Sequence, residues 1–409
     1  MDECATMPHW GNDMVSRLST HLVGRQEPQF LAALDALDES LREAIEGRRI
    51  LVLGAAGFIA RQTLSVILRY RPSYVALVDI SENGLAELIR SLRASDVVPP
   101  VTTVDPWLAD ISSPTFIRLV RLLGHVDRVL NFAAVKHVRS ERDLPSLLRM
   151  LEVNLVGTYA SAAVLESEFP GTPQFVVSTD KAADPSNFMG ASKRAMEVSL
   201  ASLGIPVTTA RFANVAFSSG SLLESWLIRL SQRQPLPVPE STWRYFLTPL
   251  EAGQLCAAAS VAPRQSVAIP QLTSPDLILL EDALCSTLEF LGRSPLRVNS
   301  YAEARDLLDQ GAIGDGQYPY FVTPLDTVGE KPAERLLGVD EEARPWQPGL
   351  DIMPLPGVDL GTRELIEWIT TVIADPERDV TTEELGRRIS TVVPNFSHKG
   401  GVARLDDRA

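Results

Sequence analysis

Residues 48–68, RRILVLGAAGFIARQTLSVIL, decide the fold. The apolar run Ile50–Leu53 has the composition of a buried strand, and helical spacing begins at Phe58. Between the two stand Gly54, Gly57 and Ala60. Gly54 permits a tight turn, Gly57 lets backbone come close to a ligand, and Ala60 lets the helix sit against the sheet. A helix opening directly after such a turn offers unpaired N–H groups and the positive end of its dipole, which suits a phosphate. A plain tight turn would also use glycines, so the pattern has to be read together with the next strand.

That strand is YVALVD, residues 74–79, and it ends in Asp79 roughly 20 residues after the glycines. A carboxylate there accepts hydrogen bonds from adenosine ribose hydroxyls and disfavours a 2′-phosphate. Together the two stretches predict a Rossmann-type βαβ unit from Arg49 to about Asp110 that holds a nicotinamide dinucleotide, NAD in preference to NADP. Phe58 and Ile59 open its helix. Asp110 and Ile111, in LADIS, fall where such units meet the adenine, although a helix cap before Ser112 is an equal reading of Asp110.

Working outward, RVLNFAA (128–134) and QFVVSTD (174–180) continue the alternation of apolar strands with helical stretches. The fold class expected is α/β, a doubly wound parallel sheet with right-handed crossovers. Asn131, Ala133 and Ala134 would line the cofactor, the alanines by being small; strand-end packing would use the same residues. Residues 29–47, QFLAALDALDESLREAIEG, predict an amphipathic helix before the first strand. Proline recurs in QRQPLPVPE (232–240), so the chain leaves the regular sheet there. The expected organisation is an N-terminal helical extension (1–47), an NAD-binding core (48–205), a smaller mixed α/β substrate lobe with interleaved core elements (206–340), and a peripheral C-terminal appendage (341–409).

The chain has 409 residues, with 38 Lys and Arg against 52 Asp and Glu, a net charge of −14. That field opposes nucleic acid and anionic membrane as partners, so an anionic ligand needs a local site. Cys4, Cys256 and Cys285 are odd in number, far apart and in no metal-ligand spacing, which predicts no metal site and fits a reducing cytoplasm. The start, MDECATMPHWGND, has neither a basic nor an apolar leader segment, and no apolar run reaches the roughly 18 residues of a membrane span. A cytoplasmic homo-oligomer, dimer or higher, is the expected state.

A second chemical segment follows QFVV. Ser178, Thr179, Asp180 and Lys181 emerge from a strand end, where open α/β sheets place their active sites, and an acid thereby adjoins an amine. Lys193 lies further on, on a predicted helix. A solvated turn and a surface helix charge are the alternative reading of these groups. Asn154, in EVNLVGT, could be a buried structural amide.

Four ordered stretches carry a resemblance: NFAAVKHVRSE (131–141), STDKAADPSNFMGASK (178–193), RFANVAFSSGS (211–221) and GEKPAE (329–334), with DISENGLAELIRSLRAS (79–95) beside them. Together they resemble the CapD-type polysaccharide-biosynthesis branch of the extended short-chain dehydrogenases/reductases. Its best-known activity is UDP-N-acetylglucosamine 4,6-dehydratase. The resemblance implies Lys181 as the base at sugar carbon 5, Asp180 as the acid for the leaving 6-hydroxyl, and Thr179 on the 4-hydroxyl. It places Lys193 on the nicotinamide ribose and Asn154 beside the cofactor. Met189 stands where many relatives carry tyrosine and matches a methionine variant of the branch. For the UDP-sugar it offers Asn214, Ser218, Ser221 and Arg244, with Lys136 and His137 approaching cofactor or substrate phosphates and Glu330 and Lys331 closing the lobe. Phe58 and Ala60 depart from the small residues usual in the phosphate turn, and Arg335 stands where an acidic residue is expected. An epimerase or dehydrogenase would use the same cofactor site, and a non-catalytic NAD-binding scaffold would be the reading that rests on Met189.

Overall fold

The computed structural model describes residues 12–95, 97–136, 141, 143–311, 314, 316–324, 331–357 and 361–396. Two compact units interleave along the chain: the first takes 29–212, 251–271 and the segment from 335 onward, the second the segment up to 28, 213–250 and 272–334.

The first unit is a nine-stranded sheet. In chain order its strands are β1 (Arg49–Leu53), β2 (Tyr74–Asp79), β3 (Thr103–Leu108), β4 (Arg128–Asn131), β5 (Gln174–Val177) and β6 (Val207–Ala210). In the second unit follow β7 (Asn214–Val215), β8 (Leu236–Pro239) and β9 (Trp243–Leu247), after which β10 (Ser266–Pro270) returns to the large sheet. The second unit adds β11 (Leu277–Leu279), β12 (Ser294–Val298) and β13 (Gln317–Thr323), and the first closes with β14 (Arg344–Gln347) and β15 (Leu350–Pro354).

The large sheet runs β14-β15-β10-β6-β5-β4-β1-β2-β3. From β10 to β3 every pairing is parallel, while β15 pairs antiparallel with β10 and β14 with β15. Strands β2 and β3 extend to one side of β1 and β4 to β6 to the other, so the order reverses between β1 and β4. Open α/β sheets keep their ligand crevice at such a reversal, outside the strands' carboxyl ends. The four strands β1, β4, β5 and β6 are buried almost throughout, as strands of a parallel sheet covered on both faces are, polar residues such as Thr208 and Thr209 of β6 included. Strand β3 carries Pro106, which a sheet edge tolerates because the missing N–H is not needed there. The helix Pro114–Leu123 turns Phe116, Leu119, Val120 and Leu123 into a core with Leu51, Val78 and Val129.

The helical periodicity of 29–47 is realised as two helices, Leu31–Ala36 and Asp38–Ile45, that meet at Leu37. Phe30, Leu37, Leu41 and Ile45 remain buried, so the apolar stripe survives the break. The tail contributes β14 and β15 to the sheet edge before the helices Gly361–Ala374 and Thr382–Ser390.

The second unit holds two three-stranded sheets, β11-β9-β7 and β12-β13-β8. Its core gathers round Trp226, whose indole N–H donates to the Pro237 carbonyl at 2.8 Å, and takes Leu18 and Leu22 from the helix Asn12–Val23. Among the described residues no helix is long and apolar enough to cross a membrane.

Candidate active site

At the point where the strand order reverses, β1 ends opposite Asn131 of β4. Gly54 follows with φ +68°, and a Cβ there would stand 2.6 Å from the Ala133 nitrogen. Both the left-handed backbone and the approach to the chain after β4 therefore require glycine. The next turn is held by backbone groups: the Ala56 N–H donates to one Asp79 oxygen at 2.9 Å, and the Ser81 N–H to the other at 2.9 Å. Gly57 stands at the N-cap of the helix Phe58–Ile67. Arg61, which the sequence reading passed over, donates to the Ala56 carbonyl at 3.0 Å and the Gly84 carbonyl at 2.9 Å. It ties the glycine turn to the helix after β2.

These groups enclose a cavity of about 360 Å³. Of the predicted residues, Gly54, Gly57, Asp79, Asp110, Ile111, Ala133 and Ala134 line it; Phe58 and Ile59 open the helix behind the turn and do not. Ala56, Ser81, Val135, Arg149 and Val153 line it as well. Asp110 faces the cavity and accepts the Ser112 N–H at 2.9 Å, but it does not cap the helix, since the N-cap of Pro114–Leu123 is Ser113. Burial pushes its carboxyl up, but the Ser112 N–H and the Arg149 guanidinium, 2.6 Å away, outweigh that and hold it below the ordinary range.

Asn154 lies on a π-helical turn, Glu152–Gly157, fully buried. Its Oδ1 accepts the Val135 N–H at 2.8 Å, and its Nδ2 donates to the Val135 carbonyl at 2.9 Å and to Ser192 Oγ at 3.1 Å. It is a clamp that fastens the cavity wall to the helix Phe188–Ser202. Lys136 follows Val135 and is exposed; His137 lies outside the described residues, as do Cys4 and Glu330.

The second cluster forms where β5 ends. Thr179 caps a short 3-10 turn, Asp180–Ala182, and its hydroxyl donates to Asp180 Oδ1 at 2.9 Å. The same oxygen accepts the Lys181 backbone N–H at 2.9 Å and the Lys181 ammonium at 3.1 Å. Asp180 is buried, whereas the Lys181 side chain keeps 22% exposure. These groups are therefore a built acid–amine pair and not a solvated turn. Across from it, Gly190 lets the helix Phe188–Ser202 touch the turn, since a Cβ there would stand 2.6 Å from the Lys181 carbonyl.

Lys193 is no surface charge: it is 4% exposed, and its ammonium donates to the Val177 carbonyl at 3.0 Å. Burial pushes its pKa down to about 8, against the pull of Glu197. Met189 is also buried, and its N–H donates to Glu141 Oε1 at 3.0 Å. Burial raises the Glu141 carboxyl, with the Met189 and Phe188 N–H groups opposing. Glu141 closes the NFAAVKHVRSE stretch, which was the signal available for it. Thr179, Asp180, Lys181, Met189 and Lys193 come together at the end of β5, and none of them lines the cavity after β1.

Behind this cluster lies a charge network that the sequence reading missed. Ser178 donates to Glu197 at 2.6 Å. Arg211, 0% exposed, pairs with Glu197 at 2.6 Å and with Glu341, and donates to the Leu336 carbonyl at 3.2 Å. Arg194 pairs with both carboxylates. Although burial works against it, the two carboxylates hold the Arg211 pKa above its ordinary value. Gly338 completes the contact, as a Cβ there would lie 2.7 Å from the Ala183 carbonyl. Glu341 thus supplies, six residues beyond Arg335, an acidic partner after the GEKPAE stretch.

The residues expected on a UDP group belong to the second unit. Arg244 donates to the carbonyls of Trp243, Lys331 and Pro332 at 2.8, 2.9 and 3.2 Å, so it and Lys331 are brought together. Ser221 caps the helix Leu222–Ser231 through the Glu224 N–H, Asn214 donates to the Tyr245 carbonyl at 3.4 Å, and Ser218 lies half-buried in the turn between them.

Comparison with known proteins agrees with this architecture. The chain is 31% identical over 247 residues to "Probable polysaccharide biosynthesis protein EpsC" of Bacillus subtilis (strain 168), covering 58% of this chain and 39% of that protein. It is 29% identical over 269 residues to "Capsular polysaccharide biosynthesis protein CapD" of Staphylococcus aureus, covering 63% and 44%. The matches thus span about two-fifths of the length of these relatives. Among solved structures, Pen from Bacillus thuringiensis superposes with a TM-score of 0.61 at 21% identity, over 80% of this chain and 98% of that one, which shows the Rossmann-type fold. Residues 50–294, more than half the sequence, match the family described as "Polysaccharide biosynthesis protein", and the chain belongs to that family.

Proposed function

We propose that the chain is an NAD-dependent nucleotide-sugar 4,6-dehydratase, with UDP-N-acetylglucosamine or a close relative as substrate. The observation that carries this reading is the Asp180–Lys181 pair, an acid and an amine 3.1 Å apart at a strand end of the sheet that also builds the glycine cradle.

The cradle fits NAD. Gly54 and Gly57 leave backbone open toward a pyrophosphate, Ala133 and Ala134 keep the wall low, and the Asp79 oxygens, each taking one backbone N–H, retain lone pairs for ribose hydroxyls. Bound there, NAD supplies the redox chemistry, accepting hydride from sugar carbon 4 and returning it to carbon 6. The remaining work is proton transfer by the chain. A ketone at carbon 4 acidifies the proton on carbon 5, which the neutral Lys181 amine takes. Asp180, carrying the proton that the 4-hydroxyl released on oxidation, gives it to the 6-hydroxyl, which leaves as water. Lys181 then returns its proton to carbon 5, and both groups end as they began.

Thr179 binds the sugar's 4-oxygen, and Lys193 the nicotinamide ribose. Asn214, Ser218, Ser221 and Arg244 hold the UDP group, with Lys136 and His137 on phosphate and Glu330 and Lys331 closing the substrate lobe. A pathway building polysaccharide would consume the keto-deoxy product.

The test is incubation of the purified protein with UDP-N-acetylglucosamine and no added NAD, followed by mass spectrometry and NMR. Loss of one water is expected. An unchanged mass with a new sugar would assign an epimerase, and no turnover of any nucleotide sugar a non-catalytic protein. Lys181→Ala should lower turnover by about 10²–10⁴-fold and abolish deuterium exchange at carbon 5.

A further inference from the structure

We propose that the first unit carries a second anion site, for a phosphate-class dianion, at the amino-terminal edge of the sheet, remote from the glycine cradle. A cavity of about 610 Å³ lies there, beneath the starts of β1, β4, β5 and β6. Arg48, Arg128 and Arg264 line it, with Glu43 and Thr208.

Arg128 is the anchor. It is 9% exposed, its Nη1 donates to the Ser260 carbonyl, and its buried Nε has no hydrogen-bond partner. Among the described residues no carboxylate forms an ion pair with it. A buried guanidinium without a counter-charge is rare because desolvation of the cation is uncompensated. The charge nearest in effect is repulsive: burial, and then Arg48, lower the Arg128 pKa to about 10. Thr208 presents a second orphan, a buried Oγ1 without a partner on the same cavity wall.

Counting the lining groups gives three guanidinium cations against the Glu43 carboxylate, two positive charges in a chain whose net charge is −14. Arg48 is also 3.9 Å from Asp127, a contact too long to neutralise it fully. Guanidinium groups match tetrahedral oxyanions in fork geometry, and a hydroxyl donor beside them completes a phosphate monoester or inorganic phosphate site. The strand β4 separates the two sites, with Arg128 at its start and Asn131, beside the cradle, at its end.

The experiment titrates inorganic phosphate into the full chain at constant ionic strength, balanced with chloride, and follows binding by calorimetry and the melting temperature. Wild type should bind and melt higher as phosphate rises. Arg48→Ala combined with Arg264→Ala should weaken binding at least tenfold, whereas phosphate held only at the glycine turn would be untouched by that pair. Thr208→Val should give a smaller loss. Arg128→Met should melt higher than wild type without phosphate and lose the phosphate response. The proposal fails if the double variant titrates like wild type, or if neither shows a phosphate response. A citrate response equal to that of phosphate would assign the cavity to carboxylates and overturn the phosphate assignment.

Discussion

The turn after β1 and the turn after β5 sit at the carboxyl ends of strands separated only by β4, yet they are held in opposite ways. Around Gly54 the fastenings are backbone groups and missing side chains: Asp79 accepts two N–H groups, Arg61 donates to two carbonyls, and glycines permit the contacts. Around Asp180 they are charges: the buried Glu197 and Arg211 with the half-buried Glu341 and Arg194 lock the strand end from behind. The difference teaches that a ligand's phosphate is accommodated by removing bulk, whereas a proton-transfer pair must be aimed by groups that cannot move. Substitutions on the two sides should therefore fail differently.

The largest effect is expected at Arg211. Arg211→Met leaves Glu197 and Glu341 facing each other with only Arg194 between them, and breaking a buried pair by removing one partner costs about 3–5 kcal/mol. Denaturant unfolding measures this, and NAD titration of the folded fraction should be unchanged because the cradle uses none of these groups. A stability loss within about 0.5 kcal/mol, the range of ordinary surface substitutions, would erase the contrast between the turns.

Next is the pH response of Lys193. Its folded pKa of about 8 lies below the ordinary 10.5, so between those values the unfolded chain binds a proton that the folded chain lacks. Stability contributed by this group therefore rises as pH increases through that window, by up to about 3 kcal/mol at 1.36 kcal/mol per unit. Lys193→Met should lack the rise and be at least as stable as wild type at neutral pH, while losing turnover. Parallel stability curves for the two proteins would show that the buried ammonium is not strained.

On the cradle side, Gly54→Ala places a Cβ 2.6 Å from the Ala133 nitrogen on a left-handed backbone. The backbone conformation alone costs about 1–2 kcal/mol, and the overlap pushes the segments after β1 and β4 apart. A stability loss of about 2 kcal/mol with a larger loss of NAD affinity is expected, read by melting and fluorescence titration. Equal losses in both would mean that the turn is a structural corner and not a ligand cradle.

This contrast also explains what was legible in the sequence. Gly54, Asp79 and the strands RILVL, YVALVD, RVLN and QFVV follow from requirements that act within a few residues, so spacing and composition reveal them. The Asp180–Lys181 pair was legible as two adjacent side chains, but its burial was not. Glu341 lies 130 residues from Arg211 and carries no local pattern, and Arg128 became informative only when the fold withheld a carboxylate from it. The break at Leu37 and the edge strand with Pro106 escaped for the complementary reason: tertiary packing overrode a clean helical period and admitted a proline. The assignments in the second unit rest on the resemblance, because Ser221 and Arg244 already serve as a helix cap and a carbonyl donor.

The smallest effects sharpen the comparison most directly, because the turn after β2, which also lines the cradle cavity, and the turn after β5 lead into helices that carry the same device in different surroundings. Ser81 Oγ accepts the Gly84 N–H at 3.0 Å at the start of the helix after β2, and Asn187 Oδ1 accepts the Gly190 N–H at 2.9 Å at the start of the helix Phe188–Ser202. Both are N-caps, whose loss costs about 0.5–2 kcal/mol. Ser81 is exposed, so water can take over the Gly84 N–H, and Ser81→Ala should fall near 0.5 kcal/mol. Asn187 and Gly190 are buried, so Asn187→Ala leaves an N–H that nothing replaces and should fall near 2 kcal/mol. The Gly190 contact with the Lys181 carbonyl should loosen with it, lowering turnover by more than the stability loss implies. Equal costs at the two caps would mean that solvent reaches the turn after β5 as freely as the turn after β2, and the aiming of the acid–amine pair would then need another source.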